Sequence, residues 1–480
     1  MNDAIRVEQL IDEAAAARPE HVALVCGGRR WTYRQLQAER DRRAGLLVEA
    51  GLQPGAIVVT AERFTDDHVL SFLACCQAGA ALASMPPPYT ASERQRVTAR
   101  LQPQLALTAA GLGDPALIAP QSLPITLPGV PGEAAVAEAK RRSQAGTADE
   151  LATIRTTSTT TKADPKLVMR PHRQMTWWRD FQPWWAQTDL VTCCPLRDHF
   201  NAGDLAYTFG QQGTLVIHSG AYYDLEGLLA AERVTAVQLV PALAALLVQQ
   251  TAPPPLLPHL AVIRTVAAAL PAEIRAALTA RYGVPIIEEY MLAECQPVCS
   301  PQDRDTPAGS VGQPLPGNEL QLLDVNGEPV TTGAIGEVII RSPGMMRGYL
   351  GDPATTVAVL RDGWFHTGDL ARCDDAGRYF LLGRRSLQIN VGGYKVTPEE
   401  VEQVLREHPG VREVMILPMP HPILGEAVRA VIVPQGAPPD AQALRRYCRQ
   451  TLAGYKVPRQ IDFRDELPRS TLGKVLRHQL

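Results

Sequence analysis

The sequence predicts an α/β fold with a largely parallel sheet, followed by a smaller α+β unit at the C-terminal end. Three observations carry this. Amphipathic helical stretches alternate with short apolar runs through the first 120 residues, and again from about residue 214 to residue 290, the pattern of strand–helix–strand units. After about residue 310 the chain becomes strand-rich. At 480 residues it is longer than one ordinary core organises, so at least two domains are expected.

In order, VEQLIDEAAAARPE reads as a helix, VALVC as a strand, and TYRQLQAERDRRAGLLVEAG as a long helix ending at Gly51. AIVVTAE is a strand and HVLSFLACCQAGA a helix. The same rhythm returns at TLVIHSG, at VTAVQLVPALAALLVQQ, and at LAVIRTVAAALPAEIRAALTARYGVPIIEEY. NELQLLDVNGEPVTTGAIGEVIIRS reads as two strands joined across Asn326-Gly327, a strong hairpin signal. PEEVEQVLREHPGV starts a helix with Pro398 near its first turn and acids following. VREVMILPM and AVRAVIVPQ are strands, and AQALRRYCRQTLAGY is a helix. The Pro-rich stretches TAPPPLLPHL, PMPHP and APPD are loops. Domains are placed at residues 1–385 and 386–480.

Composition narrows the function. A formal net charge of −3 without a basic run argues against nucleic acid as a partner. The N-terminal segment MNDAIRVEQLIDEAAAA lacks the apolar core of a signal peptide, and no apolar stretch is long enough to span a bilayer. Membrane insertion is therefore not expected, and a cytoplasmic location is. Nine cysteines, including the adjacent pairs Cys75-Cys76 and Cys193-Cys194 in apolar surroundings, read as buried reduced thiols. Cys295 and Cys299 have a helical spacing, but no second ligand pair completes a zinc site.

Four segments can carry chemistry. TTSTTTKADPKLVMRPH (156–172) is hydroxyl-rich with Lys162 and Lys166; such a loop can cradle phosphate oxygens or be a solvated linker. IIEEYMLAE (286–294) runs an apolar strand into Tyr290, with Glu294 four residues on. The aromatic can pack against a base and the carboxylate can hold Mg²⁺ beside phosphates; equally, they are a core tyrosine and a surface glutamate. In GWFHTGDLARCDDAGRYFLLGRR (363–385), Asp369 can accept from ribose hydroxyls and Arg384 can donate to the sugar or a phosphate. The fourth is ELPRSTLGKVLRHQL, with Lys474 behind Gly473. Trp177, Trp178, Trp184 and Trp185 form an unusual cluster, read as helix-face packing or as substrate contacts.

The order of these segments resembles the adenylate-forming superfamily of acyl-CoA synthetases, firefly luciferases and nonribosomal peptide synthetase adenylation domains. The resemblance runs from WTYRQL and GLQPGAIVV through PGMMRGYLGDPATT and GGYKVTPEEVE to AGYKVPRQIDFRDELPRSTLGKVLR, and from GWFHTGD onward is closest to standalone acyl-CoA synthetases. It implies a large N-terminal multi-layer α/β domain with mostly parallel sheets and a distorted β-barrel, and a small mobile α+β lid. It also implies ATP-driven activation of a carboxylic acid as acyl-AMP with release of pyrophosphate, then acyl transfer to coenzyme A or a carrier-protein phosphopantetheine. By motif position Lys474 bridges the carboxylate and α-phosphate. Glu294 and Thr161 hold Mg²⁺. Thr157, Ser158, Thr159, Thr160, Thr161 and Lys166 hold the β- and γ-phosphates. Ala268, Glu289 and Tyr290 serve the adenine side, and Asp369 and Arg384 the ribose. Gly392, Gly393 and Lys395 face acyl-AMP after the lid rotates and admit the thiol. The acyl pocket is drawn from His199 (also a gating residue) to Asp204, from Ala267 and Ala269, and from Met291 and Leu292. Asp198 or Asp204 facing a substrate amine is the alternative. The chain ends six residues after Lys474, so no fused carrier domain is expected, and the molecule is a monomer or homodimer.

The departures fall on the nucleotide side. Thr159, Lys162 and Leu167 stand where the family's phosphate loop has glycines, Ala267-Ala268 where it has Gly-Gly, Ser386 at the hinge, and Asn390 where relatives have lysine. Glycine there permits close approach of backbone to phosphate and positive φ. Two readings stay open: a tolerated variant loop, or an enzyme confined to one half-reaction. A standalone adenylase loading a free carrier protein and a non-catalytic nucleotide- or acyl-binding homologue are the rival functions.

Overall fold

The computed structural model describes residues 4–85, 89, 91–109, 117, 119–157, 165–186, 189–195, 202–220, 224–384, 387, 389–391, 394–421, 424–450, 452, 454–469 and 475–480. The chain forms two compact units, Met1–Glu319 with Arg341–Gly363, and Leu320–Ile340 with Trp364–Leu480.

The first unit holds two seven-stranded sheets. In one, the strands Ile286–Glu288, Val262–Thr265, Ala236–Leu239, Val191–Cys194, Thr214–Ile217 and Val22–Cys26 are parallel neighbours in that order, and Arg29–Thr32 closes the edge antiparallel. In the other, Leu151–Thr157, Ala81–Ser84, Ile57–Thr60, Leu105–Thr108 and Gln121–Pro124 are parallel, and Lys166–Pro171 and Gly348–Tyr349 extend the first edge antiparallel. The α/β alternation read from the sequence is what places parallel strands here. Leu24, Leu215 and Ile217 of one sheet and Val58, Leu82 and Leu105 of the other share one apolar core with Leu70, Leu73 and Cys76 of the helix Asp66–Gln77. That helix is buried at nearly every position, its polar Asp66, His68, Ser71 and Gln77 included. The helix Tyr33–Glu49 begins at a capping box: Thr32 Oγ1 accepts from Gln35 N (3.3 Å) and Gln35 Oε1 accepts from Thr32 N (2.9 Å).

In the second unit, Gly336–Arg341, Trp364–Cys373 and Tyr379–Arg384 run antiparallel. The Asn326-Gly327 signal does make a tight turn, with Asp324 Oδ1 accepting from Asn326 N and Glu328 N, but the long returning strand starts only at Gly336. A second sheet orders Tyr394–Val396, Ile389–Val391, Gly425–Pro434 and Val411–His421, with Gln460–Phe463 added parallel to Gly425–Pro434. The helices Pro398–Arg406 and Ala441–Cys448 lay Val401, Leu405, Leu444 and Cys448 on its apolar face.

One sequence expectation changes, and of the two readings of the tryptophans one is supported. Cys295 and Cys299 do not share a helix: Cys299 is in a short strand and Cys295 bridges to Met345. The tryptophans pack: Trp177, Trp178 and Trp185 are buried in a cluster with Tyr207, Val262 and Ile287, while Trp184 donates to Pro301 O. The cysteines form no disulfide and all but Cys373 are buried; burial pushes the Cys295 thiol up to about 12 and Cys26 to about 11, which keeps them inert. Among the described residues no helix is long and apolar enough to cross a membrane.

Candidate active site

The strands Leu151–Thr157 and Lys166–Pro171 form an antiparallel pair in which Thr157 faces Lys166 and Arg155 faces Val168. Alternation along a strand puts Lys166, Val168 and Arg170 on one face and Leu167 on the other. Leu167 is indeed fully buried in an apolar cluster with Val59, Ala83, Val97 and Leu101. Its bulk, standing where a glycine is usual, is therefore directed into the core and away from the side on which Lys166 stands.

Lys166 Nζ donates to Tyr349 Oη (3.3 Å) and lies over that ring, 4.6 Å from its centre. Tyr349 Oη donates to Glu294 Oε1 at 2.8 Å. The backbone fixes both ends: Tyr349 pairs with Val168, and Met346 N donates to Glu294 O at 2.7 Å. Two residues predicted for the phosphate and metal side, Lys166 and Glu294, are thus joined through a tyrosine that sequence reasoning did not single out. Two further cations share this region. Arg170 is 1% exposed and donates to Gln174 Oε1 (3.1 Å) and to Gln296. Burial, and then the neighbouring Arg155, pull its guanidinium down to about 9, against Glu294. Burial pulls Arg155 to about 10, with Glu294 opposing.

At the carboxyl end of Val262–Thr265 the chain turns through Val266–Leu270. Val266 N donates to Leu239 O (3.1 Å) and Leu270 N to Glu288 Oε2 (2.9 Å). Between these anchors Ala267, Ala268 and Ala269 are exposed, and Ala267 has φ +75°. The left-handed conformation expected of glycine is retained with alanine occupying it.

Next to this turn, Arg264, Glu289 and Asp204 form a buried ion triad. Arg264 Nε donates to Glu289 Oε2 at 2.9 Å, and both terminal nitrogens donate to Asp204 Oδ1 at 3.3 Å. Ser300 Oγ donates to Glu289 Oε1 (3.0 Å). Against the depressing effect of burial, Glu289 and then Asp204 hold the guanidinium above its ordinary value. Burial raises the Asp204 carboxyl, Arg264 opposing. Asp204 and Glu289 were expected toward substrate and adenine. The structure gives both carboxylates to Arg264, which weighs against Asp204 as a partner for a substrate amine. Arg264 carried no sequence signal beyond a charge inside an apolar strand. Tyr290 is buried, its backbone paired with Cys299; Met291 and Leu292 are half-buried, with Gln238 Nε2 reaching Met291 Sδ at 4.0 Å.

In the second unit, Asp369 and Arg384 are cross-strand partners, and Arg384 Nε donates to Asp369 Oδ1 at 2.8 Å. Asp369 is buried and Arg384 exposed. Lys395 pairs through its backbone with Asn390. Ser158, Thr159, Thr160, Thr161, Asp198, His199, Gly392, Gly393 and Lys474 lie outside the described residues.

The chain matches the family model described as AMP-binding enzyme over residues 11–350, and that described as AMP-binding enzyme C-terminal domain over residues 400–474. A feruloyl-CoA synthase from Amycolatopsis sp is 31% identical across 97% of this chain and 96% of its own. A long-chain-fatty-acid–CoA ligase from Escherichia coli O157:H7 is 40% identical over 205 residues; that match takes in 42% of this chain and spans 36% of the length of the ligase. Among solved structures, ATP-bound MatB from Rhodopseudomonas palustris superposes with a TM-score of 0.86 at 25% identity, over 99% of this chain and 98% of its own. With the two models matching in chain order and the first covering well over half of the sequence, the chain belongs to the AMP-binding enzyme family.

Proposed function

We propose that this chain activates a carboxylic acid with ATP and transfers the acyl group to coenzyme A. A substrate carboxylate oxygen attacks the α-phosphorus, the bond to the departing pyrophosphate breaks, and the acid is left as an acyl-AMP anhydride. A thiolate sulfur then attacks the acyl carbon, the carbon–oxygen bond to AMP breaks, and AMP leaves. The observation that supports this most is the Lys166–Tyr349–Glu294 chain, which holds a cation and a carboxylate in fixed relation at the base of the hydroxyl-rich loop.

The residues suit their parts. Glu294 is a half-buried carboxylate with a hydroxyl donor on one oxygen, a donor of the type that Mg²⁺ takes; with Thr161 it would hold that ion, whose chemistry is to draw charge from phosphate oxygens. Lys166 offers a point charge to the β- and γ-phosphates. Asp369 would accept from ribose hydroxyls while Arg384 fixes its carboxylate. In this reading residues 386–480 act as a lid that presents Lys474 to the first step and the Gly392–Lys395 segment to the second. Feruloyl-CoA synthase, a relative similar over nearly the whole chain, favours coenzyme A over a carrier protein as acceptor.

The test is pyrophosphate exchange across a panel of carboxylic acids, then thioester formation with coenzyme A beside holo carrier proteins. Exchange abolished by Lys474→Ala, with thiolysis of supplied acyl-AMP largely spared, is expected. Equal loss of both steps contradicts the lid assignment. Carrier loading without a coenzyme A ester overturns the acceptor, and no exchange with any acid overturns the activity.

A further inference from the structure

We propose that Arg155 is a phosphate-binding residue for the ATP triphosphate, with Arg170 as the positioning charge behind it. The identity of the nucleotide rests on the function proposed above; the anion site itself rests on geometry. Arg155 faces Val168 across the ladder. Lys166 and Arg170 are two residues either side of Val168 on the same face, so Arg155 is the diagonal neighbour of both, within reach for long side chains. Tyr349 faces Val168 from the other edge, which brings Glu294 to the same patch through its hydroxyl. Three cations therefore share one face of two strands, at the end of the ladder where the hydroxyl-rich loop springs. Glu294 acts on both arginines and opposes the lowering of each.

The two arginines divide the work by depth. Arg170 is fully buried and its fork is held by Gln174 and Gln296; Gln174 in turn donates to Ala293 O at 2.9 Å, beside Glu294. It cannot reach a ligand in solvent, but it is tied to the 293–296 segment through the Gln174 and Gln296 side chains and adds positive field. Arg155 is only partly buried. Burial pulls both guanidinium groups below their ordinary range, and the charge of Arg155 lowers Arg170 further, a cost that falls when an anion is bound beside them. The chemistry also fits the departures in this loop. Where glycines are replaced, fewer backbone N–H groups can close on phosphate, and a guanidinium supplies up to five N–H donors in a planar fork matched to phosphate oxygens.

The experiment uses the full chain and three probes: Mg²⁺ with tripolyphosphate, AMP, and Mg-ATP in pyrophosphate exchange. Arg155→Met should weaken tripolyphosphate binding and raise the KM for ATP by about 10- to 100-fold, the weight of a charge-assisted hydrogen bond, with AMP affinity unchanged. Arg155→Lys should restore part of both. Arg170→Met should raise the KM for ATP by a smaller factor with kcat held within about twofold, and Arg170→Lys should recover it. Should a Met variant fail to fold, Arg155→Gln and Arg170→Gln take its place. A folded Arg155 variant with wild-type tripolyphosphate affinity and ATP KM overturns the proposal. If the wild type exchanges with no acid yet binds tripolyphosphate through Arg155, the anion site stands and the activity falls. If it exchanges and the Arg155 variants leave ATP kinetics untouched, the activity stands and this site falls.

Discussion

Ala267→Gly tests the departure from the family that the structure explains most directly. Ala267 holds φ +75°, and an L-residue in the left-handed region costs about 1–2 kcal/mol. Glycine removes that cost, but its freer unfolded chain returns about 0.4–1 kcal/mol. Because Ala267 is exposed, little apolar burial goes with its methyl. The net expectation is stabilisation by about 0.5–1 kcal/mol. The neighbouring Ala268 is also exposed and does not share the positive φ, so Ala268→Gly should destabilise by about 0.5–1 kcal/mol. The pair therefore carries a sign reversal between adjacent residues. Urea unfolding followed by tryptophan fluorescence is the assay. Trp31, Trp177, Trp178, Trp184 and Trp185 lie in the first compact unit and only Trp364 in the second, so the signal reports mainly the unit that holds the mutation, which matters where two units can unfold separately. Two variants shifting in the same direction would refute the argument that backbone conformation decides the outcome.

Arg264→Met leaves Asp204 and Glu289 buried without their cation and should cost about 3–5 kcal/mol in the same assay, whereas replacing all three by apolar residues of similar volume should cost far less. Tyr349→Phe removes the hydroxyl between Lys166 and Glu294; stability should fall by about 1 kcal/mol, and the Mg²⁺ concentration for half-maximal exchange should rise several-fold, read by magnesium titration. Burial holds His68 and His172 at about 4, below an unfolded value near 6.5, so the unfolded chain takes up protons first. Stability should be full above about pH 6.5 and fall toward pH 4 by up to about 1.4 kcal/mol per pH unit for each histidine, measured as urea midpoints across that range. Leu167→Ala should destabilise by about 2–5 kcal/mol and leave the KM for ATP unchanged, since the side chain faces the core.

The fold was legible because burial imposes periodicity. The helix Asp66–Gln77 and the apolar strands of both sheets are written as runs of core residues. The Arg29–Thr32 strand was not, because RRWT at a sheet edge is largely exposed and carries no apolar alternation. Residue type alone was enough to single out Lys166, Glu294, Asp369 and Arg384 as candidates, because they are charges in ordered motifs. What could not be read was partnership across the chain. Tyr349 lies 55 residues from Glu294 in sequence, and Arg264 takes the carboxylates of both Asp204 and Glu289, so two residues assigned to ligands by position belong to a core ion network.

The same distinction applies to two of the missing glycines. Counted along the sequence, Leu167 and Ala267 look like equal losses. In three dimensions they differ. Leu167 points away from the Lys166 face, so its volume weighs on packing and not on phosphate. Ala267 keeps the glycine-like backbone, so its cost is one of stability and the shape of the turn survives. Neither change removes a cation or an acceptor from the patch built by Lys166, Tyr349 and Glu294. At these two positions the chain has exchanged backbone freedom for side-chain bulk without dismantling the charges proposed to handle a nucleotide. Of the two readings left open by the sequence, this favours the enzyme that completes both half-reactions over the one confined to thiol transfer.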